Sequence, residues 1–170
     1  MVNFDNIPKK KLEKLLKLTK KIKVRRLINN QPDDFKSKHA ALILDKKFEV
    51  LSYGENNCRK TPDMMTIHAE KQAFYNFNQS KYKKNKKYYL YVVKLSNKEG
   101  LLGNSACCIR CRNLILEKYN IKISKVYYSI KNGIRCCNPN KLPIHISGKD
   151  KKQCGECNIL KKFRHFNKSF

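Results

Sequence analysis

The sequence predicts an α/β chain in which one sheet is covered by helices. Three observations carry this. Short β-branched or aromatic runs alternate with stretches of helical periodicity. The resulting order is helix, hairpin, helix, strand, helix, strand, and such alternation gives a single sheet with helices on its faces. A length of 170 residues with 41% apolar content suffices for one domain with its own core.

Residues 8–28 read as a basic amphipathic helix. Pro8 suits a first turn. Leu12, Leu15, Leu16 and Ile22 recur at helical spacing among Lys11, Lys14, Lys17, Lys20, Lys21 and Lys23. Such a helix suits a membrane surface or nucleic acid. The more frequent arrangement packs the apolar stripe on a sheet and turns the lysines to water. Residues 29–34 are a polar loop. Residues 40–44 and 48–53 read as strands, and the short link between them makes a hairpin.

The second strand runs into Gly54-Glu55-Asn56-Asn57-Cys58. An asparagine here is either a sugar or base contact or part of a polar turn. A helix follows over residues 66–78, with Thr66 at its N-cap and Ile67, Ala73, Phe74 and Phe77 on its buried face. Residues 81–87 form a basic loop around Tyr82, a composition suited to single strands or to a solvated tip. Residues 88–95 read as a central strand. A loop leads to a third helix that begins near Cys107 or Cys108 and reaches about Tyr119, and residues 126–130 form a fourth strand.

The formal charge is +26. It attracts phosphate, whether free nucleotide or nucleic acid backbone, unless it reflects Lys-rich composition alone. There is no run long enough to span a membrane, and the N-terminus lacks the apolar core of a signal peptide. An intracellular, cytoplasmic location is expected. In a reducing compartment the 8 cysteines read as metal or reaction chemistry and not as disulfides.

Two motifs concentrate that chemistry. His68-Ala69-Glu70 and Cys108-Ile109-Arg110-Cys111 each open a helix. One imidazole and two thiolates suit a tetrahedral zinc ion with its fourth position left for water, whose pKa the metal lowers. Glu70, a carboxylate that is not a ligand, is suited to move that water's protons. Cys108 and Cys111 in a first helical turn would gain thiolate character from the helix dipole. Cys107 with Cys111 is an alternative pair. Cys108 is favoured because Cys-x-x-Cys at a helix start brings both sulfurs toward one point. A purely structural zinc site is the bland alternative, but such sites are normally closed by a fourth protein ligand.

The tail is less regular. Cys136, Cys137, Cys154 and Cys157, with His145 nearby, offer donors for a second zinc, against which stands a set of buried or free thiols. The expected division is a zinc domain over 1–135 and a Cys-rich basic extension over 136–170, packed on the same domain.

Residues from about 8 to 130 resemble the cytidine/deoxycytidylate deaminase superfamily. The resemblance rests on the element order, the Gly54-Glu55-Asn56 turn, His68-Ala69-Glu70 and Cys108-Ile109-Arg110-Cys111. One position departs from it: the family usually has Pro before the first cysteine, and here Cys107 stands there. The resemblance implies a three-layer α/β/α fold with a mixed five-stranded sheet and the two zinc-bearing helices side by side. It implies that Asn56 touches the substrate, with Asn57 as the substitute if the segment is shifted by one.

The expected function is zinc-dependent hydrolytic deamination of a cytosine-type base to uracil with release of ammonia. The partner is a nucleotide such as deoxycytidylate, or single-stranded nucleic acid, with no membrane and with homo-oligomer formation left open. Adenine in RNA falls within reach of the same core through pocket shape. The competing reading is a catalytically silent zinc protein that binds nucleic acid through its basic surface. The presence of Glu70 beside a full ligand set weighs against it.

Overall fold

Alternate residues of the central strands drain into two separate cores. Ala41, Ile43, Leu90, Val92, Val126, Tyr128 and Cys137 enter one. Ala40, Leu42, Leu44, Tyr91, Val93, Leu95, Tyr127 and Cys136 enter the other. A sheet buried on both faces needs a layer of helix on each, and continuous apolar strands are its sequence signature. The structure, a computed structural model, describes residues 7–28, 38–58, 66–77, 86–95, 102–118, 121–131 and 133–143.

In chain order the elements are helix α1 (Lys9–Ile28), strands β1 (Lys38–Leu44), β2 (Val50–Glu55), β3 (Asn57–Cys58) and β4 (Thr66–Ile67), and helix α2 (Ala69–Tyr75). Then follow β5 (Tyr88–Leu95), β6 (Leu102–Gly103), α3 (Ile109–Asn113), β7 (Ile123–Ile130) and β8 (Gly133–Cys137). The main sheet has the order β2-β1-β5-β7-β8, and β6 adds to β5. Pairing is antiparallel except for β5 with β7. A parallel pair needs a crossover, which α3 supplies. The mixed α/β fold with five strands in its main order is therefore as expected.

Helix α1 seals one face with Leu15 and Ile22, both buried. Thr19 is buried among them, and its hydroxyl shares a 2.6 Å hydrogen bond with that of Tyr91. The apolar stripe is thus used on the sheet. No described helix is long and apolar enough to cross a membrane. Helices α2 and α3 cover the other face through Ala69, Ala73, Phe74, Cys111 and neighbours.

Several boundaries differ from the sequence reading. Thr66 is not a helix cap: it lies in β4, which pairs with β3, and His68 takes the N-cap. Cys108 likewise caps α3, and the α-helix then passes into a π-helical turn, Leu114–Lys118. The last expected strand is longer, and β8, read as part of the tail, pairs with β7 across five positions. The expected boundary at 135/136 falls inside β8. A short apolar strand carrying Gly, Arg and two cysteines has no clean period, so only its neighbour reveals it.

Gly54 is not part of a turn. It lies in β2 opposite Ala41, and a Cβ there would sit 2.3 Å from the Ala73 nitrogen and 2.4 Å from the Ala69 carbonyl oxygen. The missing side chain lets α2 lie directly on β2. Ser52 locks this contact, its hydroxyl donating to the Ala73 carbonyl at 2.6 Å. The loop at 29–34 and residues 81–85 of the basic 81–87 loop lie outside the described residues.

Candidate metal centre and active site

The two ligand motifs meet because two crossovers end at the same edge of one layer. His68 precedes α2 with extended backbone (φ −68°, ψ 147°), and Cys108 precedes α3 in the same way (φ −70°, ψ 165°). Neither side chain caps its own helix. Instead His68 Nδ1 lies 3.3 Å from Cys108 Sγ and 3.4 Å from Cys111 Sγ.

The donor atoms of His68, Cys108 and Cys111 all lie within 4.8 Å of one another. Among the described residues this is the group of His, Cys or carboxylate side chains gathered closely enough to hold an ion. The set fits zinc. Usual zinc–sulfur and zinc–nitrogen lengths at a tetrahedral angle put S and N roughly 3.6 Å apart. The observed separations need only a small adjustment. Three protein donors leave one position open, the arrangement of catalytic and not structural zinc.

Thiol chemistry agrees with the geometry. The Cys111 thiol hydrogen-bonds Cys108 and, with help from His68 and against the effect of burial, brings the Cys108 pKa down to about 4. The same hydrogen bond, and then burial, push the Cys111 thiol up. In the metal-free pair the sulfur–sulfur hydrogen bond is the largest cause of both shifts. A zinc ion takes ligands as thiolates and releases the remaining proton.

Glu70 stands in the first turn of α2, only 6% exposed. Burial raises its pKa above the usual carboxylate range, and Cys108 and His68 are both close enough to act on it electrostatically. The Cys107 side chain hydrogen-bonds this carboxyl and is itself fully buried, its thiol held well above the ordinary range first by burial and then by Glu70. Cys107 therefore points to Glu70, while Cys108 points to His68.

Asn56 follows β2 directly. Its side-chain oxygen accepts the His39 backbone N–H at 2.8 Å, and its own N–H donates to the His39 carbonyl at 3.2 Å. Asn57 begins β3 opposite Ile67, so this segment runs beside the residue before His68. The Asn57 side chain lies outside the described ones.

Cys136 and Cys137 do not join this site. Neighbouring strand residues point to opposite faces, and the two are buried in different cores, Cys136 under α1 and Cys137 on the α3 side. Their sulfurs do not converge on one ion. His145, Cys154 and Cys157 lie outside the described residues.

Sequence reasoning missed what holds the cysteine loop. The Ser105 hydroxyl donates to Val92 O at 2.7 Å and accepts the Ser129 N–H at 2.8 Å, while Ser105 N–H donates to Ser129 O at 2.9 Å. The Ser129 hydroxyl reaches the Gly103 carbonyl at 2.7 Å. These serines tie the segment before Cys107 to β5 and β7. Their signal in the sequence is slight: small polar residues beside or within apolar runs.

A sheet with α2 and α3 packed in one core on the same face, a His/Cys/Cys set at their starts and a buried carboxylate next to it define a zinc-binding α/β domain. The chain belongs to the family described as cytidine and deoxycytidylate deaminase zinc-binding region, whose model matches residues 10–130. Its fold is also similar to that of a cytidine deaminase from Burkholderia pseudomallei, at a TM-score of 0.51 and 16% identity, over 82% of this chain and 100% of that one. No curated protein matches the chain in sequence.

Proposed function

We propose that this chain is a zinc-dependent hydrolytic deaminase that converts a cytosine-type base to uracil and releases ammonia. The substrate is a nucleotide such as deoxycytidylate, or cytosine in single-stranded nucleic acid. The observation that carries the reading is the buried Glu70 carboxyl set beside the donor trio of His68, Cys108 and Cys111. A structural zinc site has no use for a buried, non-ligating carboxylate.

His68, Cys108 and Cys111 would hold a zinc ion, which would supply Lewis-acid activation of a water near neutral pH. Glu70 performs the proton transfers. It accepts a proton from the attacking water and passes it to the ring nitrogen next to the carbon under attack, then takes the proton of the newly added hydroxyl as the carbonyl forms and delivers it to the departing amine. Burial raises the Glu70 pKa, which favours a carboxyl that holds a proton and passes it on. Addition of water and loss of ammonia balance the conversion. The family resemblance suggests Asn56 as a substrate contact, and its side-chain oxygen is held by the His39 backbone N–H. The formal charge of +26 favours a phosphorylated substrate over a neutral nucleoside.

The test is Glu70→Gln on zinc-loaded protein, assayed for ammonia with cytidine, deoxycytidylate and a cytosine-containing oligonucleotide. Turnover should fall by about 10²- to 10⁴-fold on the accepted substrate, with zinc retained. Unchanged turnover would remove Glu70 from its role. A wild-type protein that holds zinc but acts on none of the panel would favour the silent nucleic-acid-binding reading.

A further inference from the structure

The exposed side of α1 carries charge that the fold does not use. Lys10, Lys14, Lys17 and Lys21 are all exposed, and their 3- and 4-residue spacings put them in one stripe opposite the buried Leu15, Thr19 and Ile22. The stripe is roughly 16 Å long at the rise of an α-helix. Among the described residues none of the four is paired with a carboxylate; Lys14 instead donates to the Lys47 carbonyl at 2.8 Å, which sets the basic β1–β2 turn alongside. Glu13 is the exposed acid on the described part of this helix.

This arrangement works against the helix. Like charges four residues apart repel. The first turn holds lysines and no acid, the opposite of what the helix dipole favours. Packing on the sheet keeps α1 folded in spite of its charge. The face is also separate from the metal centre: α1 covers one side of the sheet, while α2 and α3 carry the donor set on the other.

We propose that the lysine stripe of α1 is a docking surface for the phosphate backbone of nucleic acid, remote from the deaminase centre. Lysines without acidic partners neutralise phosphates and release condensed counterions, which gives sequence-independent affinity. An anionic membrane is the poorer fit. A helix that lies in a membrane surface must offer it an apolar face, and among the described side chains of α1 Leu15, Leu18 and Ile22 pack on the sheet, while Leu16 is 42% exposed. The surface goes beyond the catalytic reading and does not depend on it, because a backbone can dock without being deaminated.

The experiment uses zinc-loaded full-length protein and fluorescently labelled oligothymidylate, which offers no amine to remove. Anisotropy is followed from low to moderate salt. In the quadruple variant K10Q/K14Q/K17Q/K21Q the slope of log affinity against log salt should become shallower by roughly 3, at about 0.7 per lost phosphate contact. The variant K122Q/K131Q/K141Q, altered at exposed sites on other elements, should keep the wild-type slope. Far-ultraviolet circular dichroism and zinc content check that both variants fold. An unchanged slope in the α1 variant, or an equal loss in both variants, overturns the proposal. So does wild-type binding to phosphatidylserine vesicles with none to the oligonucleotide. A duplex probe in parallel separates single-strand docking from general backbone docking, and the proposal requires at least one of them to lose affinity with the α1 lysines.

Discussion

His68 Nδ1 lies 3.3 Å from Cys108 Sγ, although forty residues of chain separate them. Each of the two occupies the N-cap of its helix, and neither side chain makes a capping bond there. Both are turned to each other and to Cys111. Replacing a ligand should therefore remove the metal, and replacing its neighbour should not. Cys108→Ser and Cys111→Ser should each lose zinc, while Cys107→Ser should keep one zinc per chain. Elemental analysis of freshly purified protein reads all three. Zinc lost in Cys107→Ser and kept in Cys108→Ser would shift the ligand register by one residue.

Cys107 has a different task. Its side chain hydrogen-bonds Glu70 in a place closed to solvent. In Cys107→Ala the carboxyl loses a partner that orients it, so kcat should fall by about tenfold, corresponding to about 1.4 kcal/mol of barrier. KM and zinc content should hold. Cys107→Ser restores a donor and should recover much of the loss. An alanine variant with wild-type kcat would leave this contact without a role in turnover.

Gly54 transmits packing to the metal centre. A methyl group at this position would meet the backbone of α2 at 2.3 to 2.8 Å, and backbone does not yield as a flexible side chain does. Gly54→Ala should push α2 off the sheet and move His68 and Glu70 with it. The expected result is a loss of about 1 to 3 kcal/mol in denaturant stability, together with weaker zinc retention against a chelator. A variant as stable as wild type would mean that α2 can settle elsewhere without penalty.

Ser105 and Ser129 hold the loop that leads to the cysteines. Ser129→Ala removes the hydroxyl that reaches the Gly103 carbonyl and receives the Lys94 N–H at 3.0 Å. Leaving such buried groups without partners costs about 1 to 3 kcal/mol. Urea unfolding should show the midpoint lowered by that free energy divided by m, at an unchanged m-value.

Tyr91 supplies a pH dependence away from the metal. Burial, opposed by its hydrogen bond to Thr19, holds its pKa up at about 12 against an ordinary 10.0. The fold thus prefers the neutral phenol. Its contribution is fully present below pH 10 and is lost as pH rises toward 12. A two-unit shift corresponds to about 2 to 3 kcal/mol. Between pH 9 and 11.5 the wild-type protein should lose more stability than Tyr91→Phe does. Parallel losses in the two proteins would place the alkaline sensitivity in other groups.

Much of the architecture is legible in the chain itself. The helix at α1, the hairpin of β1 and β2, the central strand β5 and the two ligand motifs follow from local period and residue type, which neighbours in sequence fully express. His68, Cys108 and Cys111 can be singled out for the same reason: zinc chemistry selects those side chains and the Cys-x-x-Cys spacing survives in one dimension. Tertiary structure decided the rest. Strand pairing placed Gly54 beneath α2 and made it a contact and not a turn. It made Cys136 and Cys137 members of β8, facing opposite cores. It tied Asn56 to His39, set the Ser105–Ser129 clasp under the cysteine loop and turned Cys107 toward Glu70. Each of these relationships joins segments that are distant in the chain or depends on which face of the sheet a residue takes, and only the closure of the sheet with its crossovers sets either one.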